Sequence, residues 1–486
     1  MNFYGEARAA FSDQLLQLGF RPDGDGLYVG SPLGYPNSQL RPTLEIELPD
    51  GFPFRSPFVR IREPELTARS WHLNLDDKGR GALCLWQHSG GLNDYPWADP
   101  LTLLDRVREW LENDSLGWPD EPPILDVQAY LPLANDRLVV SPEHLGGREG
   151  SLYVRRRFAY WDIWETTGSP DGPRAADALR EPVQAVFAEV GRLDQPLRSV
   201  GEVMDLIPAH KRAELEGVLG TANLTVLLAR YQRGDNQGLL ALQILDWAGE
   251  RSIVAFRDVY ELEPQILTLR SGPAAPLLAS ARIAVVGVGA IGSFLAEVLV
   301  RCGARFISLY DSDDLAPGNC VRHLCGLQYT GLLKPTAVIA HLKARGLANG
   351  TSLQSGSSIL TPEHAQVVFE AHDLVVDATA NESATGMLIH EALARDAKLV
   401  SVCVLGDGQF VRVDRWPLHG SERHAEPPDS AVLRSSAPMY ESGCGDAVSP
   451  TPPYAPMKAA ASACRVVIDL ITHDPPEVPC TIVEEA

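Results

Sequence analysis

IAVVGVGAIGSFLAEVLV, residues 283 to 300, decides the fold of the second half of the chain. Four apolar residues, Ile283 to Val286, run into Gly287-Val-Gly289-Ala-Ile-Gly292, after which apolar residues recur at helical spacing. A buried strand that turns through glycines and opens a helix presents backbone N–H groups where phosphate oxygens bind. The stretch is long and apolar enough to mimic a membrane span. Its glycines, however, fall where a strand must become a helix, and Glu297 lies inside it. The next apolar strand, Phe306 to Tyr310, is followed by Asp311, roughly 20 residues on, where a carboxylate commonly accepts ribose hydroxyls.

Working outward, strands at Leu374 to Asp377 and Leu399 to Val404 alternate with helices from Ile291 and Pro335, so residues 266–486 predict a mainly parallel sheet with a nucleotide at its carboxyl edge. Residues 1–130 read differently. Phe3, Ala7, Phe11, Leu15 and Leu18 recur at helical spacing, Leu44, Ile46 and Leu48 alternate as in a strand, and Leu101 to Leu111 give an amphipathic helix. This predicts an α+β domain closed by the breaker GWPDEPP, 117–123. Residues 131–265 carry strand-like runs (Ser151 to Trp164, Asn223 to Tyr231, Leu239 to Trp247) and helical runs (Ala176 to Val190, Val203 to Leu219) but no chemical motif, as expected of a linker or substrate-docking domain. The fold class is α/β in three stretches: an α+β first domain, an α/β linker and a nucleotide-binding third.

Composition narrows the function. Acidic residues outnumber basic ones by 63 to 42, a net charge of −21, which argues against broad binding to nucleic acid or anionic membrane. The start, MNFYGEARAAFSDQLLQLGF, lacks a basic segment followed by an apolar run, so the chain is expected in the cytoplasm. The eight cysteines form no C-x-x-C pair and read as reduced thiols rather than a zinc site.

Beyond Asp311-x-Asp313 come Gly318-Asn319-Cys-Val-Arg322-His323 and Gly331-Leu-Leu-Lys334. Cationic and polar groups just past a ribose carboxylate suit the neutralisation of a triphosphate, which nicotinamide chemistry does not require. The ordered set resembles the ThiF/MoeB and ubiquitin-activating (E1-type) adenylation family. That resemblance implies ATP held by Gly287, Gly289, Gly292, Asp311 and Asp313, with Asp311 on the ribose and Asn319, Arg322 and Lys334 on the phosphates. It also implies Mg²⁺ and a homodimer. Where the family carries T-D-N, this chain reads Asp377-Ala-Thr379-Ala380-Asn381; Ala380 cannot bind a metal, so Asp377 or Asp313 is expected to take it, directly or through water, with Asp377 the first choice.

An acyl adenylate invites attack by a thiolate. Cys403, inside the apolar run Leu399 to Leu405, reads as a core residue, whereas Cys444 in Glu441-Ser-Gly443-Cys444-Gly445-Asp446 follows a polar segment similar to the family's crossover loop. Cys444 is therefore the expected activating thiol. In the first domain, Phe52-Pro53-Phe54-Arg-Ser-Pro57, Trp71-His72-Leu-Asn74 and Gly81-Ala-Leu-Cys84-Leu-Trp86 resemble the turn, tripeptide and active-site loop of ubiquitin-conjugating (E2-type) domains. The resemblance implies Cys84 as acceptor thiol and Asn74 as oxyanion donor, although Leu73 replaces the tripeptide's proline and Asn74 lies ten residues before Cys84. His72 positions the loop, acts as a base, or braces the fold. Trp97 reads as core.

A conjugating-type domain fused to an activating-type domain resembles bacterial fusions of antiphage operons, notably CBASS. Such proteins adenylate the C-terminal glycine of a cGAS-like nucleotidyltransferase or a ubiquitin-like protein, relay it through two cysteines and place it on target lysines. The alternatives are an adenylyltransferase serving a sulfur carrier or a peptide without conjugation, a catalytically silent scaffold, and, last, an NAD oxidoreductase.

Overall fold

In a computed structural model the chain divides into two compact units, Met1–Leu262 and Glu263–Ala486. The structure describes residues 3–33, 41–63, 72–75, 81–86, 95–116, 118, 127–145, 152–158, 161–167, 181–193, 197, 200–247, 250–262, 270–347, 350–356, 361–426, 439–440, 447–448 and 450–486.

The first unit opens with a helix, Phe3–Gln17, whose Phe11 and Leu15 are buried against a four-stranded antiparallel meander of Arg21–Gly24, Leu27–Gly30, Thr43–Glu47 and Phe58–Glu63. Leu44, Ile46 and Val59 line its inner face. A short antiparallel pair, Leu73–Leu75 with Gly81–Leu83, precedes the helix Pro100–Leu116, which buries Leu103, Leu104, Val107, Trp110 and Leu111 in the same core. Trp97 is core, as expected, and its indole N–H donates to the Pro53 carbonyl at 2.6 Å.

An eight-stranded mixed sheet forms the rest of this unit, with the helices Val200–Leu206 and Ala209–Leu219 packed on one face. Three expectations change here. The helical run expected from Ala176 to Val190 instead holds the strand Val183–Arg192, parallel to Leu224–Arg233. Val186, Ala188 and Val190 face one core while Ala185 and Phe187 face the other. A strand buried on both sides loses polar alternation and reads like a buried helix. The single strand expected over 151–164 is a pair, Leu152–Phe158 and Trp161–Thr167, and the helix expected over 203–219 breaks before Pro208.

The second unit is a seven-stranded sheet. In spatial order it runs Ser352–Gly356, Phe306–Tyr310, Arg282–Val286, Leu374–Asp377, Lys398–Leu405, Phe410–Trp416 and Thr481–Glu485; the first five are parallel, Phe410–Trp416 runs against them, and Thr481–Glu485 pairs antiparallel with Phe410–Trp416. Helices Ala290–Arg301, Lys334–Ala344 and Tyr454–Thr472 cover one face, and Pro362–Ala371 and Glu382–Arg395 the other. This is a Rossmann-like sheet. Strand order reverses beside Arg282–Val286, so the crevice for a ligand opens at the carboxyl ends of this strand and Leu374–Asp377, where Gly287 begins. No helix among the described residues is long and apolar enough to cross a membrane.

Candidate nucleotide site and candidate thiols

The glycine-rich turn is shaped by close backbone packing. Gly287 has φ +87°, and a Cβ there would meet the Ala378 carbonyl carbon at 2.6 Å and Thr379 Cα at 2.7 Å. A Cβ on Gly292 would fall 1.9 Å from the Gly287 carbonyl oxygen. Both positions demand glycine, the first to abut the neighbouring strand's exit and the second to let the helix start against the turn. Gly289 differs: a Cβ there would meet nothing within 4 Å. Its side faces open space at the N-cap of helix Ala290–Arg301, whose first-turn N–H groups lack intrahelical acceptors and suit an anion.

One peptide group joins the motifs that the sequence lists separately. The Val288 N–H donates to Asp311 Oδ2 at 2.8 Å, and the Val288 carbonyl accepts from His323 Nε2 at 2.9 Å. His323 Nδ1 in turn accepts the Cys325 N–H at 3.0 Å, so this network assigns the proton to Nε2. Burial holds the His323 pKa below the usual histidine value, which preserves that neutral tautomer. Asp311 Oδ1 accepts the Asp313 N–H at 2.9 Å, fixing the D-x-D turn. The Leu324 N–H reaches Ser293 Oγ on the helix at 3.2 Å. The glycine-rich turn, Asp311 and the 317–325 segment are thus one hydrogen-bonded assembly.

Lys334 starts its helix from a ladder with the D-x-D segment: its N–H donates to the Asp313 carbonyl at 2.9 Å and its Nζ to Asp313 Oδ2 at 2.7 Å. Its side chain is 13% exposed and that of Asp313 67%, so the carboxylate is the wetter partner. Asn319 Oδ1 accepts the Ala316 N–H at 3.1 Å and closes the Pro317–Val321 turn, which leaves its NH₂ group to donate to a ligand. Arg322 caps the C-terminal end of that turn and is partly exposed.

Asp377 is held on all sides. It is 2% exposed, and each oxygen already accepts two hydrogen bonds: Oδ1 from the Thr379 N–H at 3.0 Å and Thr379 Oγ1 at 2.7 Å, Oδ2 from Thr385 Oγ1 at 2.6 Å and Ser401 Oγ at 3.0 Å. A carboxylate so engaged does not fit a direct metal ligand; it braces the 377–381 turn, against whose Ala378–Thr379 backbone Gly287 packs. Ala380, at φ +50°, brings no ligand atom. Asp313 is ion-paired to Lys334 through Oδ2.

Cys84 follows the strand Gly81–Leu83 and is half-buried. Its N–H donates to the His72 carbonyl at 2.9 Å, and the indole N–H of Trp110 donates to the same oxygen at 3.1 Å. The next carbonyl, Leu85, accepts from Arg106 Nε at 2.7 Å. Helix Pro100–Leu116 thus pins the backbone on both sides of the thiol. The His72 ring, 4% exposed, stacks on Trp118 with centroids 3.6 Å apart. Asn74 pairs through its backbone with Ala82. Cys444 lies outside the described residues. Cys403 is pushed up to about 11, chiefly by burial, as suits an inert thiol.

Sequence reasoning missed His323, Thr385, Ser401 and Trp110. His323 lies within a quoted motif, so its buried bond to Val288 had a signal in its neighbourhood, but Thr385 and Ser401 meet Asp377 only through the sheet.

Residues 266–470 match the ThiF family. Among curated proteins, the chain is 32% identical over 145 residues to the ATP-dependent ubiquitin transferase-like protein Cap2 of Vibrio cholerae, covering 29% of this chain and 24% of that protein. It is 29% identical over 136 residues to the adenylyltransferase and sulfurtransferase uba4 of Pyricularia oryzae, covering 28% and 27%. The chain therefore spans about a quarter of the length of each of these relatives. Among solved structures, the E. coli tRNA N6-threonylcarbamoyladenosine dehydratase TcdA is 28% identical over 30% of this chain and 63% of its own, with a TM-score of 0.27.

Proposed function

We propose that the second unit is an ATP-dependent adenylyltransferase of the E1-like kind, which joins AMP to the C-terminal carboxylate of a partner polypeptide. The observation that carries this reading is the Val288 peptide, gripped at its N–H by Asp311 and at its carbonyl by His323. Phosphate-binding turn, ribose carboxylate and cationic segment are preorganised together. In the reaction a carboxylate oxygen attacks the α-phosphorus of ATP and pyrophosphate leaves. The helix N-terminus, Lys334, Arg322 and the NH₂ of Asn319 offset charge on the phosphates, while Asp311 keeps lone pairs for ribose hydroxyls. Mg²⁺ arrives with ATP as part of the substrate and is assigned no protein ligand.

The finer reading is a relay. A Cys444 thiolate attacks the acyl adenylate, releasing AMP; Cys84 takes the acyl group by thioester exchange and passes it to a lysine amine. The pinned backbone at Cys84 and the likeness to Cap2 support this over adenylation alone. The partner is then a ubiquitin-like protein or a cGAS-like nucleotidyltransferase in antiphage defence, handled by a cytoplasmic homodimer. The uba4 likeness keeps the sulfur-carrier alternative distinct.

ATP–pyrophosphate exchange in the presence of the neighbouring gene's product tests the first step. Exchange lost in Lys334→Ala supports it; no exchange by the wild type overturns it. Non-reducing gels of the wild type, Cys84→Ala and Cys444→Ala then test the relay. Thiol-sensitive adducts lost stepwise support it, whereas exchange without any adduct selects the sulfur-carrier reading.

A further inference from the structure

Two cysteines stand apart from every group used above. Cys302 is the C-cap of helix Ala290–Arg301 and is half-buried; Cys464 lies within helix Tyr454–Thr472 and is 2% exposed. They are 162 positions apart in sequence, yet their Sγ atoms lie 3.9 Å from each other, with Cys464 donating its S–H. The helices that carry them share one core, into which Leu295, Leu299, Ala460, Ala463 and Val467 pack.

The two sulfurs are unequal. The hydrogen bond from Cys464 lowers the Cys302 pKa well below the usual thiol value against the opposing effect of burial. Cys464 is pushed upward, first by that same hydrogen bond and then by burial. The more accessible sulfur is the better thiolate, and the hidden one keeps its proton beside it. A disulfide bond is about 2.05 Å, so closure asks the sulfurs to approach by about 1.9 Å.

We propose that Cys302 and Cys464 are a peroxide-responsive dithiol that closes to an intrachain disulfide, tying the helix that begins at the glycine-rich turn to the long C-terminal helix. The Cys302 thiolate attacks one oxygen of hydrogen peroxide, the O–O bond breaks, and Cys302 becomes a sulfenic acid as hydroxide leaves. The Cys464 sulfur then attacks the Cys302 sulfur. The S–O bond breaks, an S–S bond forms, and the Cys464 proton leaves with the departing oxygen as water. Two thiols are oxidised by two electrons and one peroxide is reduced to two waters.

The test uses the reduced full-length chain, treated with hydrogen peroxide, alkylated while unfolded and analysed by peptide mass spectrometry. A linked peptide pair containing Cys302 and Cys464, loss of both thiols to alkylation and reversal by dithiothreitol are expected. Cys325 and Cys480 should stay fully alkylated, as internal references. In Cys464→Ala, the sulfenic acid at Cys302 should persist and take a dimedone label that the wild type does not accumulate. Finding in the wild type that Cys302 stays a thiol, goes on to sulfinic acid, or links to any other cysteine would overturn the proposal. Should Cys464→Ala fail to fold, the wild-type peptide map decides by itself.

Discussion

Asp377 separates two roles for a buried carboxylate, and its environment lets the consequence of removal be worked out. Asp377→Ala deletes the acceptor of four hydrogen bonds. Bonds to a charged acceptor contribute about 1.5–3 kcal/mol each, so a simple sum overshoots. Two corrections reduce it. The hydroxyls of Thr379, Thr385 and Ser401 can rotate to other partners, and the desolvation cost of a carboxylate at 2% exposure disappears with the group. The Thr379 N–H cannot rotate, and the 377–381 turn loses its tie to the strands on which it rests. The expected net loss is about 2–4 kcal/mol. Asp377→Asn keeps the shape, and its NH₂ can donate to the Thr385 and Ser401 hydroxyls, so its loss should be about 1 kcal/mol. Native-state hydrogen exchange of the Leu374–Asp377 and Lys398–Leu405 amides reads this locally in the full chain. In Asp377→Ala these amides should exchange roughly 30- to 700-fold faster. In Asp377→Asn they should change by less than about tenfold, with ATP binding retained. If Asp377→Asn instead abolished ATP binding while exchange stayed at the wild-type rate, the carboxylate would be a ligand group, and its assignment as a brace would be wrong.

Two further outcomes follow from the same geometry. Gly292→Ala places a Cβ 1.9 Å from a backbone oxygen that cannot swing away and should cost at least about 3 kcal/mol. Gly289→Ala, with nothing within 4 Å, should leave the melting temperature unchanged but weaken ATP binding; equal melting of the two variants would refute the packing argument. The second outcome concerns pH. His323, His341 and His372 all have pKa values held below the ordinary histidine value, in each case first by burial. The unfolded chain then takes up protons near pH 6.5 before the folded one does. The stability these residues provide is complete above about pH 6.5 and is lost as pH falls from there through the folded pKa values. Exchange protection of the second unit should therefore decline between pH 7 and pH 5, before the carboxylates titrate; a flat profile there would count against buried neutral histidines.

Much of the second unit was legible because local chemistry and global topology agree at the glycine-rich turn. Ile283 to Val286 read as a buried strand, and the spacing of Gly287, Gly289 and Gly292 predicts the helix start found there. The middle of the first unit was less legible. Val183–Arg192 packs apolar residues toward a core on each face, Val186, Ala188 and Val190 on one and Ala185 and Phe187 on the other, so its sequence lacks the plain alternation of a half-buried strand. The surroundings of Asp377 were hidden for a related reason. Its place at a strand's end was evident, but a carboxylate's freedom to bind metal depends on what already occupies its oxygens, and Thr385 and Ser401 arrive from a helix and the adjacent strand.

By itself, the sequence determined the strand–turn–helix junction, the succession of Asp311, Asn319, Arg322 and Lys334, and the presence of Cys84 beyond a short strand, since these rest on spacing within a few tens of residues. Only the tertiary structure decided which of these groups touch. Val288 held between Asp311 and His323, Lys334 paired with Asp313, the His72 carbonyl shared by Cys84 and Trp110, and Cys302 facing Cys464 all join segments that the chain keeps apart. Hydrogen bonds act over about 3 Å, and that closeness is set by the packing of sheet and helices, which no local pattern of residue types encodes.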